Sequence, residues 1–160
     1  MSNLQHLYTG SAGQAAVMSE FLFRGYNVAV PEVDRGDDLF VVEDVTGSLS
    51  RIQVKAAIGK RRARSAVYTA QVKVAMKQLT TPQTPALTYV FVLRCEDRWR
   101  DFIVVAQSVL DDLRRNHGVG AVVGPALILR LSVGDGGVWC SKRDLSAHRN
   151  DFSRWQPIKH

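Results

Sequence analysis

Asp38, Gln53 and Lys55 are the residues of this chain whose types and spacing suit chemistry. Gln53 and Lys55 sit two apart in the run Arg51-Ile52-Gln53-Val54-Lys55. On a strand, residues i and i+2 share a face, so this pair points away from the side that Ile52 and Val54 take. A lysine in a buried sheet is costly unless something negative meets it. Asp38 opens the preceding apolar run, Asp38-Leu39-Phe40-Val41-Val42-Glu43. If the two runs pair, its carboxylate comes near Lys55. A carboxylate, a second oxygen ligand and a lysine suit a hard cation such as Mg²⁺. They also suit phosphodiester hydrolysis, in which a metal polarises the phosphate and lowers the pKa of a bound water. The lysine then orients that water or stabilises the charge that builds on phosphorus.

The elements that must position these residues can be read from apolar spacing. Residues 11–24 predict an amphipathic helix capped by Ser11, with Val17, Met18, Phe21 and Leu22 as its stripe and Gly25 at its end. A strand follows over 26–30, then an acidic loop over 32–37 that contains Asp34 and Asp37. That loop is either a solvated turn or folds inward and adds a carboxylate to the site. Strands over 38–43 and 50–57 flank the turn Asp44-Val45-Thr46-Gly47 and predict a hairpin. Alternation over 68–74 predicts a half-exposed strand. Two prolines make residues 80–85 a loop. Strands over 87–94 and 101–105, a helix over 108–116 capped by Ser108, and strands over 126–133 and 138–140 complete the order. A last helix is expected over 144–155, with Leu145, Phe152 and Trp155 facing inward. The sum is an α/β or α+β fold around a mixed sheet.

At ~100° per residue, Val17, Met18 and Phe21 all lie within about 60° of Gln14 on the first helix. The Gln14 amide is therefore expected to point at the sheet. Glu20 lies about 120° away on the same wheel and can pair with Arg24 one turn on.

Composition narrows the classes. With 160 residues, one domain with a sizeable core is expected. No apolar run approaches the ~20 residues of a membrane span, and the N-terminus has no signal-peptide pattern. Cys95 and Cys140 make neither a disulfide framework nor a metal knuckle, which fits reduced thiols in the cytoplasm. His6, His117, His148 and His160 have no metal-ligand spacing. There is no phosphate-cradling Gly-rich loop and no Gly-x-Ser-x-Gly turn. The net charge of +6 favours an anionic partner.

Part of that charge is local. Lys60, Arg61, Arg62 and Arg64 follow closely on Lys55 and can hold a nucleic-acid backbone without reading sequence. Arg94, Arg98 and Arg100 form a second basic stretch around Trp99, which either stacks on a base or is a partly buried hairpin tryptophan. Arg114, Arg115 and His117 fit a helix C-terminus.

The chain resembles the PD-(D/E)xK nuclease superfamily, the restriction-endonuclease-like fold, and within it the small resolvase-like and restriction-associated members. Four stretches carry the resemblance: Gly10-Ser11-Ala12-Gly13-Gln14, Arg24-Gly25-Tyr26, Gly36-Asp37-Asp38-Leu39 and Ile52-Gln53-Val54-Lys55. It covers residues 10 to about 57 well, and to about 105 in the order of elements. It implies one nuclease-like domain over 1–160, with a core at about 10–117 and a C-terminal strand pair and helix at 126–156. It implies that Asp38 binds metal, that Gln53 takes the place of a second acid, that the Val54 carbonyl adds a ligand, and that Lys55 is catalytic. Gln14 matches a helix glutamate of the resolvase-like branch. Glutamine at both 14 and 53 departs from the usual carboxylates.

The resemblance implies a Mg²⁺- or Mn²⁺-dependent endonuclease acting on DNA, with RNA open, in restriction, repair or junction resolution, and a possible homodimer. Two alternatives stand beside it. One is a degenerate nuclease fold that binds nucleic acid without cutting. The other is an immunity or inhibitor module that binds a protein.

Overall fold

The computed structural model describes residues 3–32 and 36–158. The elements, in order, are α1 (Asn3–Phe23), β1 (Asn27–Ala29), β2 (Leu39–Glu43), β3 (Ser48–Arg61), β4 (Tyr68–Ala75), α2 (Met76–Thr80), β5 (Leu87–Cys95), β6 (Arg98–Ala106), α3 (Gln107–His117), β7 (Ala121–Val123), β8 (Ala126–Gly134), β9 (Gly137–Cys140) and β10 (Arg143–Asp144), with one 3₁₀ turn at Ser146–His148.

The strand that carries Gln53 and Lys55 organises the molecule. Along residues 48–52 one edge of β3 pairs antiparallel with β2. Its other edge pairs parallel with β5 over residues 51–59. Every other pairing among the described strands is antiparallel. With β1 beyond β2 and β6 beyond β5, this makes a first mixed sheet. At Lys60 and Arg61 the far end of β3 also pairs with β4, which leads into a second sheet through β8 to β7 and β9. Parallel pairing needs a crossover, and residues 62–86 supply it. The fold is mixed α+β, as expected.

The first sheet is covered on both faces, which explains why β5 is apolar without alternation. On one face Ile52, Val54, Val90 and Val92 pack under Val17 and Phe21 of α1. On the other, Tyr89, Phe91 and Leu93 pack against the second sheet and Leu110 of α3. The free thiols of Cys95 and Cys140 are in this second layer, where burial pushes their pKa up.

Several expectations need correction. The first helix begins at Asn3, so Ser11 lies inside it and caps nothing. Leu22 is exposed: the buried stripe follows Gly13, Val17 and Phe21, four apart, and Leu22 lies one step round from Phe21. The chain leaves the helix through Gly25 at φ +89°, a conformation that side chains rarely adopt. Ala106 precedes α3, and Ser108 sits within it. Residues 144–155 form a short strand, a 3₁₀ turn and loop rather than a helix. Their apolar residues nevertheless face inward: Phe152 and Trp155 stand edge-on against Phe21, with ring centres 5.6 and 5.3 Å away. Of the apolar run over 119–123, Val119 is core, while Val122 and Val123 are exposed. No helix among the described residues is long and apolar enough to cross a membrane.

Candidate active site

Asp38 stands just before β2, where its backbone N–H donates to the Ile52 carbonyl (2.9 Å). The hairpin register pairs Leu39 with Ile52, so Asp38 comes opposite Gln53. Its Oδ2 accepts two hydrogen bonds, from Gln53 Nε2 (2.5 Å) and from the Val54 backbone N–H (2.7 Å). Gln53 Nε2 also donates to the Val54 carbonyl (3.4 Å). Asp38 Oδ2 and the Val54 oxygen thus converge on one point, held here by the amide nitrogen of Gln53.

Lys55 lies two residues further on, partly buried. Among the described residues no ion pair joins it to a carboxylate. The reason is the geometry of β3. Its pairing with β2 ends at Ile52, and β4 joins only at Lys60, so the edge over 53–59 has no strand partner. Lys55 opens onto the resulting cleft and meets the demand for a counter-charge through solvent access instead.

The first helix holds the other side. Gln14 Nε2 donates to the Asp38 carbonyl (3.0 Å), so its amide does reach the sheet but ties the backbone and not the carboxylate. This closeness depends on Gly13. A Cβ there would stand 2.3 Å from the Ala56 Cβ. Glu20 pairs with Arg24 on the outside of the helix (2.8 Å).

Sequence reasoning missed three residues behind Gln53. Gln78 of α2 donates to Gln53 Oε1 (3.0 Å) and to the Gly36 carbonyl. Tyr89 donates its hydroxyl to Gln78 Oε1 (3.1 Å), and burial pushes that phenol far above its ordinary pKa. Gln107 anchors α2 by donating to the carbonyls of Gln78, Leu79 and Thr81 (2.5, 3.2 and 2.8 Å). The hydroxyl proton of Tyr89 fixes the orientation of the Gln78 amide, which in turn fixes that of Gln53. A five-residue helix has too little periodicity to signal this.

Of the acidic loop, Asp37 does turn inward, but to Arg51. Arg51 Nε and Nη2 both donate to its Oδ2 (3.1 and 2.5 Å). Arg51 thereby compensates Oδ2, while the buried Oδ1 has no hydrogen-bond partner among the described residues. Asp34 lies outside the described residues. The basic loop is further off than expected. Since β3 runs on to Arg61, that residue sits about 20 Å along the strand from Lys55. Arg61 bonds the Ser65 carbonyl (3.1 Å), while Arg62 and Arg64 are exposed. Trp99 packs partly buried against the α1 layer. Arg100 and Arg114 are paired with carboxylates.

Among the described residues no cluster of three or more His, Cys, Asp or Glu side chains could hold a metal. Gln53 presents its amide nitrogen to that point and turns its Oε1 to Gln78, so the donor set for an ion is one carboxylate and one backbone carbonyl, both hard oxygens. Mg²⁺ commonly binds through one or two carboxylates plus waters and substrate phosphate, so the set fits it.

The sequence matches the PD-(D/E)XK endonuclease family over residues 4–116, and the chain belongs to that family. Among solved structures, the fold is similar to that of a bacterial homing endonuclease, I-Ssp6803I. The TM-score is 0.56 at 20% identity, over 91% of this chain and 87% of that one. At that identity the likeness is one of fold. No curated protein matches.

Proposed function

We propose that this chain is a divalent-metal-dependent endonuclease that hydrolyses DNA phosphodiester bonds. The observation that carries the reading is the convergence of Asp38 Oδ2 and the Val54 carbonyl on one point, two residues from a lysine that faces open space. Asp38 and the Val54 carbonyl would hold Mg²⁺ or Mn²⁺, and Gln53 would join them through Oε1 once its amide turns over and leaves Gln78. When bound, the ion polarises the scissile phosphate and lowers the pKa of a water. Lys55 orients the attacking water and stabilises charge that builds on phosphorus. Gln14 holds the backbone at Asp38, and Gln78 sets the amide of Gln53. The setting we favour is mobile-element, restriction or repair DNA processing, in keeping with the fold's likeness to a homing endonuclease.

A second reading rests on one contact. The Gln53 amide already satisfies Asp38 without a cation, which favours a module that binds DNA and does not cut it. Cleavage of plasmid, linear, single-stranded and four-way-junction DNA in Mg²⁺ and Mn²⁺ separates the two. Metal-dependent cutting that Asp38→Ala and Lys55→Ala each reduce at least a hundredfold is the expected result. A wild type that binds these DNAs but cuts none of them in either metal would establish the second reading.

A further inference from the structure

The gap between β3 and β4 is a cleft of about 780 Å³. Lys55 and Lys60 of β3, Lys73 of β4 and Arg130 of β8 all line it, together with His6 and Thr9 of α1. No carboxylate lines it among the described residues. None of these four cations has an ion pair or side-chain hydrogen bond among the described residues, whereas Arg24, Arg51, Arg100 and Arg149 are all paired. Lysines on an open strand edge also discourage unwanted pairing, which accounts for Lys55 but not for Lys60, already paired with Thr69. It does not account for Lys73 and Arg130, which stand on strands paired to each other. Gln71 lies directly opposite Arg130 in that pairing and is exposed on the same face.

Like charges gathered without counter-ions repel, so the arrangement suits an anionic occupant. Its length says which kind. Lys55 and Lys60 are five strand residues, about 17 Å, apart. That distance is too long for a single phosphate and suits a run of them.

We propose that this cleft seats the sugar–phosphate backbone of one strand of duplex DNA. Lys73 and Arg130 neutralise its phosphates, and Gln71 donates between them. The backbone runs from Lys55 outward to Lys60. This rests on the endonuclease reading for its direction, since it takes the scissile phosphate to be at Lys55.

The test is equilibrium binding of a fluorescent duplex to the full chain in EDTA over a salt series. The double variant K73A/R130A is compared with K142A/R143A, which removes two exposed cations outside the cleft. The expected result is binding about tenfold weaker for K73A/R130A, with a salt slope shallower by about 1.8, the value for two phosphates. The control is expected to stay within about twofold of wild type. Lys60→Ala should lower the slope by about one further phosphate. If K73A/R130A binds like the control, the cleft is not the track, even where the wild type cuts DNA. If the wild type does not bind duplex at all, the proposal falls as well. A wild type that binds through Lys73 and Arg130 yet cuts nothing would keep the track and overturn only the catalytic reading.

Discussion

The Asp38–Gln53 contact concentrates the chemistry of the site in one hydrogen bond. A neutral amide there spares the protein two carboxylates at close range in the absence of metal. Gln53→Glu should reverse this. It puts a second carboxylate where the amide now stands 2.5 Å from Asp38 Oδ2, and like charges that close disfavour joint ionisation. We expect the variant to lose ~2 kcal/mol in EDTA, or about 4–8 °C in Tm, and to gain more from added Mn²⁺ than wild type does. Equal melting of the two proteins in EDTA would show that residues 38 and 53 do not meet. At this scale Asp38, Gln53 and Lys55 were legible, because a two-residue spacing on an apolar run fixes a face. Gln78, Tyr89 and Gln107 were not. Each is ordinary in its own segment, and only the crossover brings them behind the site.

Helix α1 and strand β3 meet at Gly13, and this contact sets how near Gln14 comes to Asp38. In an open helix position, replacing glycine by alanine stabilises by roughly 0.5–1 kcal/mol. Gly10 is such a position, with nothing within 4 Å of an added Cβ. At Gly13 the added Cβ meets Ala56, whose own Cβ has no rotamer to yield. Overpacking of that kind costs about 1–3 kcal/mol, which exceeds the helix gain. Gly13→Ala should therefore destabilise and slow cleavage by shifting β3 beside Lys55, while Gly10→Ala should raise Tm slightly. Thermal melts of both would check it, and a stabilised Gly13→Ala would mean the helix sits further off. The hairpin, the β5 strand and the end of α1 at Gly25 were legible because pattern and turn chemistry agree there. The start of α1 was not. Its first turns, with Leu4, Leu7 and Tyr8 exposed, have no buried stripe to reveal them. The final segment was misread as helix because its apolar residues suit inward packing from a loop equally well.

Across the whole molecule, the last residues close a layer that the first ones open. Trp155 packs on Phe21 and donates Nε1 to Ser50 Oγ (3.2 Å), while Arg149 grips the buried Asp101 with two hydrogen bonds (2.9 and 3.1 Å). Trp155→Ala should cost ~3–5 kcal/mol, visible as a large drop in the urea midpoint. A shift of under about 1 kcal/mol would mean the tail is loosely docked. The division into two sheets with β3 common to both was not legible, since no local pattern marks where β4 turns away. That shared strand bears on how the protein is made. Asp38 meets Gln53 across a hairpin, but Gln53 is held in place by Gln78, and Gln78 by Tyr89 and Gln107. A chain still emerging from the ribosome has the first two long before it has the last. Its β3 lacks the parallel partner β5, and pairing over that distance is slow. Synthesis therefore delays assembly of the candidate site until more than half of the polypeptide exists.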